Sequence, residues 1–298
     1  MWIFFSILFP ALTGVVNIFD KIIVDRYHGI YFYAFWIGIF ELGLGLVGLG
    51  IAIGFQPVEG GTILGGMLVG ALGAGSLAFF LAAVKLGQVA RVVPIWFLYP
   101  LMVAPMAVVF LDESLSPVIV GAIILAVVGA ILVSWQKADD GGLFGNPAVP
   151  PLTLLAAGLL AMSFVMAKWA LEDGEFWQFF GAYRIGFAPV MLAVGMIPRT
   201  RVSAPGMIRN RGFISLMVLV EGLVTLAVLA RFAAVSLGEV SLVAAVSAVQ
   251  PSLVFLYSLA LATLWPSVFG GWITRKTLLP QITGITAITA GVAIISLQ

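Results

Sequence analysis

The chain contains no cysteine and a single histidine, His28. Disulfides, thiolate nucleophiles and iron–sulfur clusters are thereby excluded, and most zinc sites with them. Charge is also scarce: 9% of the 298 residues are Asp, Glu, Lys or Arg, against roughly 25% in a soluble domain. The 14 basic and 13 acidic residues leave a formal net charge of +1, which offers no footprint for DNA, RNA or a strongly acidic partner. The rest is apolar. Hydrophobic residues make up 62% of the chain, more than a water-soluble core of this size can hide, whereas membrane spans need only match the bilayer. A water-soluble enzyme is excluded, and the solvent of this fold is lipid.

The first stretch, MWIFFSILFPALTGVVNIF, has no basic n-region and no small-residue cleavage site, so it reads as a first span and not as a signal peptide. A span needs about 20 mostly apolar residues. On that criterion the sequence predicts ten helices, near 2–20, 30–55, 62–84, 92–111, 117–135, 151–170, 176–197, 212–231, 240–264 and 278–297. Irregular backbone is not tolerated against lipid, so the expected class is an all-α integral membrane protein.

The chain also repeats itself. Ala82–Val89 reads AAVKLGQV and Ala233–Val240 reads AAVSLGEV, an offset of 151 that also pairs Pro100 with Pro251. Upstream, an offset of 147 superposes Lys21 on Lys168, Asp25 on Glu172, Trp36 on Tyr183 and Phe40 on Phe187. The expected organisation is a five-helix repeat over 1–136, an inter-repeat loop over 137–150 and a second five-helix repeat over 151–298. Five is odd, so the second unit enters the membrane inverted relative to the first, a plan typical of transporters.

These residues resemble the drug/metabolite transporter superfamily, specifically ten-helix proteins with two EamA-type repeats. The resemblance rests on AAVKLGQV leading into a proline-bearing helix, on PMAVVFLDESLSPVIVGAIILAVVGAILVS with its acidic turn and closing helix, and on NIFDK at Asn17–Lys21. The second repeat carries LATLWPSVFGGWITRK where the first has the acidic turn. What the resemblance implies is secondary transport of small metabolites through a cavity between the repeats, with no cofactor.

Charge in the connections gives an expected orientation. Arg26, Lys137, Arg199, Arg201, Arg209, Arg211, Arg275 and Lys276 follow odd-numbered helices, and the other face has only Lys168 and Arg231. Basic residues in short loops stay in the cytoplasm, which places both termini outside. The expected location is the cell (inner) membrane.

An ionisable group at membrane depth is costly and normally faces a cavity or a partner. Glu41 in helix 2, Arg184 in helix 7 and Glu221 in helix 8 are therefore the main candidates for substrate binding or coupling; the plainer reading is a Glu–Arg pair that pins helices together. Lys21 and Lys168 occupy equivalent positions, each with an acid four residues on, and serve either as substrate contacts or as interfacial lysines reaching for headgroups. Helix 4 carries Pro94, Pro100 and Pro105, and helix 9 carries Pro251. Proline removes a donor and clashes with the preceding turn, so both helices should kink or unwind, with Tyr99 and Gln250 beside the matched prolines.

Other patterns carry less. GLGLVG at Gly43–Gly48 is a formal nucleotide-loop match but lies inside an apolar helix. Gly61–Gly65 and Gly66–Gly70 are small-residue spacings for close helix packing or an oligomer contact, and Trp2, Trp135, Trp265 and Trp272 fall near span ends as an aromatic belt. His28 reads as a surface residue. No Walker motif, catalytic triad or metal cluster is visible in the sequence. The leading expectation is a secondary carrier, monomeric or homodimeric, that moves a small polar or charged organic metabolite, an amino-acid-like solute being favoured. Proton-coupled export is the expected mode, and the alternative is a flippase for a lipid-linked intermediate.

Overall fold

The computed structural model describes residues 1–27, 30–134, 146–197, 210–264 and 278–297. Within these, the side chains of Lys21, residues 24–27, Ile30, Tyr31, Ala90 and Leu278 are not described. His28, Trp135, Lys137, Arg199, Arg201, Arg209, Trp265, Trp272, Arg275 and Lys276 lie outside the described residues.

Twelve helices and no strand are found among the described residues: α1 (Trp2–Tyr27), α2 (Ile30–Phe55), α3 (Gly60–Leu86), α4 (Val89–Trp96), α5 (Tyr99–Phe110), α6 (Pro117–Ser134), α7 (Val149–Glu172), α8 (Phe176–Gly195), α9 (Arg211–Leu237), α10 (Val240–Ser247), α11 (Gln250–Leu264) and α12 (Leu278–Ser296). Nine spans among the described residues are long and apolar enough to cross a membrane, with α4–α5 and α10–α11 each counted as one. The remaining helix, α8, carries Gln178 and Arg184 and is not among those nine spans. It needs less lipid-compatible surface because it packs along both α2 and α3. The chain is an all-α, multi-pass membrane protein.

Two expected spans are each two half-helices. The first is interrupted at Phe97–Leu98 and the second at Ala248–Val249, again an offset of 151. The cause is proline: Pro100 and Pro251 are the second residues of α5 and α11. Lacking an N–H, each cannot bond the carbonyl four residues back, at Trp96 or Ser247, and its ring clashes there. The segments entering these spans also match, since the N–H of Gly87 donates to the Ala83 carbonyl and that of Gly238 to the Ala234 carbonyl, both at 2.9 Å.

Two helix ends differ from expectation. Helix 1 continues seven residues past position 20 to Tyr27, and helix 8 continues past 231 to Leu237. Asp20 and Arg231 are therefore interior to helices. For Arg231 this corrects its assignment to a loop: it is 5% exposed inside α9.

Packing between α2 and α8 is matched across the 147 offset, and one seam is unlike its counterpart in the sequence. A Cβ built on Gly38 would meet Leu192, and one on Gly45 would meet Ile185; an offset of 147 exchanges these two contacts, as an axis running between α2 and α8 would. The α3–α8 seam is drawn tight by Gly66 and Gly70, and a Cβ on Gly70 would fall 1.9 Å from the Tyr183 carbonyl oxygen. The counterparts of Gly66 and Gly70 at the 151 offset are Met217 and Glu221. Side chains of that size hold backbones apart. Among the described residues, α9 and α2 meet mainly through rings, with Phe213 5.4 Å from Phe32 and 5.8 Å from Trp36 between centroids.

The remaining acidic turn, LDESLS, has a structural task. Asp112 adopts φ 53°, in the left-handed region, and the turn aims Glu113 at the start of α10. Val240 N–H donates to its Oε1 at 2.5 Å and Ser241 N–H to its Oε2 at 3.2 Å, while the Ser241 hydroxyl also donates to Oε2. A helix start leaves free N–H groups, here on the buried Val240 and Ser241, and Glu113 satisfies two of them while its charge complements the helix dipole.

Candidate substrate and coupling site

The three intramembrane charges predicted from sequence converge. Glu41 on α2 and Arg184 on α8 form an ion pair at 3.0 Å between Oε2 and Nη1, and the guanidinium lies 4.8 Å from the Phe180 ring centre. Glu221 on α9 lies within electrostatic range of both. The three are only 1–2% exposed. The Glu221 backbone carbonyl accepts from the Thr225 hydroxyl at 2.6 Å, but its carboxylate Oε2 has no hydrogen-bond partner among the described residues.

Two further groups complete this cluster, and neither was among the sequence candidates. Asp20 on α1 accepts a hydrogen bond from the Tyr33 hydroxyl on α2 and is within electrostatic range of Glu221. Among the described side chains, the Asp20, Glu41 and Glu221 carboxylates thus gather around one guanidinium, that of Arg184, with Asp20 reaching the group through Glu221. The signal for Asp20 was available: NIFDK is followed by three further apolar residues, Ile22–Val24, and the first helix runs on to Tyr27.

The other candidates lie elsewhere. Lys168, half-buried near the end of α7, faces Glu239 at the start of α10. Burial and the nearby Glu113 carboxylate push the Glu239 carboxyl up from its ordinary range, and Lys168 draws it partly back. Lys21 belongs to α1, but its side chain is not described. Tyr99 opens α5, is 3% exposed, stacks on Phe164 at 5.6 Å, and lies within hydrogen-bonding reach of Ser247 at the end of α10. Gln250 opens α11 and is half-buried. Pro94 is buried within α4, and Pro100 and Pro251 are buried at the two breaks.

Arg231 is the second buried guanidinium. Its Nη2 donates to the Ser163 hydroxyl at 3.3 Å, and its carbon lies 4.6 Å, 4.9 Å and 5.6 Å from the ring centres of Phe232, Phe164 and Tyr183. Its Nε has no hydrogen-bond partner among the described residues. Tyr183 lies between the two centres, within electrostatic range of Arg231, Glu41 and Arg184.

Comparison with known proteins agrees with this architecture. Residues 1–135 match the model of the EamA-like transporter family. A solved structure described as "Crystal structure of protein" shares 17% identity, with a TM-score of 0.73 over 99% of this chain and 95% of that one; at this identity the likeness shows the fold. No curated protein sequence gives a significant match. The matched family consists of transporters of small solutes, not of enzymes. Residues 1–135 are thus similar to the EamA-like transporter family, and the whole chain shares the fold of that solved structure.

Proposed function

We propose that the chain is a secondary carrier of a small polar or charged organic metabolite, with an amino-acid-like solute favoured, resident in the cell (inner) membrane. The observation that supports this best is the convergence of Glu41, Arg184 and Glu221 at mid-membrane depth from three helices. Such groups are too costly to keep there without a partner or a pathway. Transport proceeds by alternating access between two inverted five-helix repeats. The seam between α3 and α8 closes one side while its counterpart between α9 and α2 closes the other, and the half-helices of the two interrupted spans lie between them.

The carboxylates supply coupling. A carboxylate that gives up its proton when a solute cation or Arg184 approaches, and regains it when they leave, links proton movement to solute movement in opposite directions. Export driven by an inward proton gradient follows. The test is uptake of labelled amino acids, organic amines and organic acids into proteoliposomes holding the purified chain, with and without a pH gradient. Saturable transport of at least one solute class that responds to the gradient supports the reading. A chain that moves no solute but scrambles a fluorescent lipid would be the flippase instead.

A further inference from the structure

A buried arginine normally has a carboxylate beside it. Arg231 has none among the described residues. Aromatic rings flank its guanidinium, and cation–π contact with ring faces offsets only part of the lost hydration. Ring faces leave the hydrogen-bonding edge of the guanidinium open. On that edge Nη2 donates to Ser163 and Nε donates to nothing described. A planar edge of N–H donors is the shape that a carboxylate or phosphate accepts, two oxygens to one fork.

The Tyr99 hydroxyl, buried and within electrostatic range of Arg231, is a further polar group beside the guanidinium. The acidic cluster is ten residues away on α9, about 15 Å along the axis at the usual rise, and has the opposite excess charge.

We propose that Arg231, with Ser163 beside it, is an oxyanion subsite that takes the carboxylate or phosphate of the transported solute, separate from the Glu41–Arg184–Glu221 cluster. This rests on the carrier reading and narrows the substrate class to solutes with an anionic group. A solute with a cationic group as well would meet the acidic cluster at another stage of its passage.

The test is thermal unfolding of the purified full-length chain in detergent with acetate, inorganic phosphate or, as the neutral control, acetamide. Acetate, phosphate or both should raise the melting temperature saturably while acetamide does not, and the anion that acts identifies the oxyanion. Arg231→Gln should weaken that effect at least about tenfold, Arg231→Lys should retain part of it because the charge stays and the fork is lost, and Ser163→Ala should weaken it less. The Glu41→Gln and Glu221→Gln variants should keep it. No anion effect in the parent chain, or one that survives Arg231→Gln, overturns the subsite and leaves Arg231 as a cation–π pin, whose loss lowers the melting temperature equally with and without anion. An Arg231-dependent anion effect in a chain that transports nothing would overturn the carrier reading alone.

Discussion

Replacing Gly70 with alanine should prop the α3–α8 seam open. The added Cβ would lie 1.9 Å from the Tyr183 carbonyl oxygen, 2.8 Å from the Phe187 nitrogen and 2.9 Å from the Tyr183 carbonyl carbon. Carbon and carbonyl oxygen ordinarily meet no closer than roughly 3.3 Å. All three obstacles are backbone atoms of α8, so no rotamer change relieves the clash and the two helices must separate. Overpacking of this kind costs about 1–3 kcal/mol. If that strain is confined to the conformer with α3 against α8, the population with the seam open rises by about 5- to 150-fold. The absence of native cysteine makes the assay direct. A single cysteine at Ala74, fully buried one turn along the same face of α3, is exposed to a membrane-impermeant maleimide in sided proteoliposomes. Labelling should be slow in the Gly70 background and faster, from one side of the membrane only, with Gly70→Ala. Equal labelling in both backgrounds at equal melting temperature would refute the reasoning and make the seam a fixed contact.

Four other outcomes follow. Arg184→Gln leaves Glu41 buried without its cation and should cost about 3–5 kcal/mol, visible as a large fall in melting temperature, and the double variant with Glu41→Gln should recover part of it; simple additivity would contradict the pairing. Glu113→Gln removes the charge that caps α10 and should cost about 1 kcal/mol with solute affinity unchanged, as melting and transport measurements on the same preparation would show. Glu113 also bears on pH: because the folded state raises the Glu239 carboxyl, the folded chain holds that proton more tightly than the unfolded one, so this group's contribution to stability is fully present below the ordinary glutamate range and is lost as pH rises from there through its raised folded value. Glu239→Gln should flatten that decline in a pH series of melting curves, and Glu113→Gln should reduce it. A single cysteine at Leu297 should label from the non-cytoplasmic side; cytoplasmic labelling would reverse the orientation drawn from loop charge.

Much of the architecture could be read from the order of residues, for physical reasons. Lipid forces backbone polar groups into helices, so apolar run length alone located the spans. Pro100 and Pro251 announced the breaks because a missing N–H and a ring clash act locally. Glu41, Arg184 and Glu221 stood out as costly residues, but the ion pair between Glu41 and Arg184 is a tertiary fact: it depends on Gly38 and Gly45 bringing α2 onto α8. Arg231 was mistaken for a loop residue because a hydropathy window closes at a charge. The repeat held the correction, since AAVSLGEV matches the segment that closes α3, and the same offset carries the end of α3 at Leu86 to Leu237. Asp20 was passed over likewise, at the assumed end of helix 1. Glu113 was seen as part of an acidic turn, but its partner, the start of a half-helix 127 residues away, has no signature in the local sequence.

The most direct test of the account is solute movement driven by a pH gradient in proteoliposomes, compared between the parent chain, Glu41→Gln, Glu221→Gln and the double variant. Glutamine keeps size and much of the hydrogen bonding while removing the exchangeable charge. The account predicts that at least one single variant still exchanges solute down its own gradient but no longer responds to the pH gradient, and that the double variant does not respond at all. A double variant that still couples solute movement to the pH gradient at parental rate would contradict it.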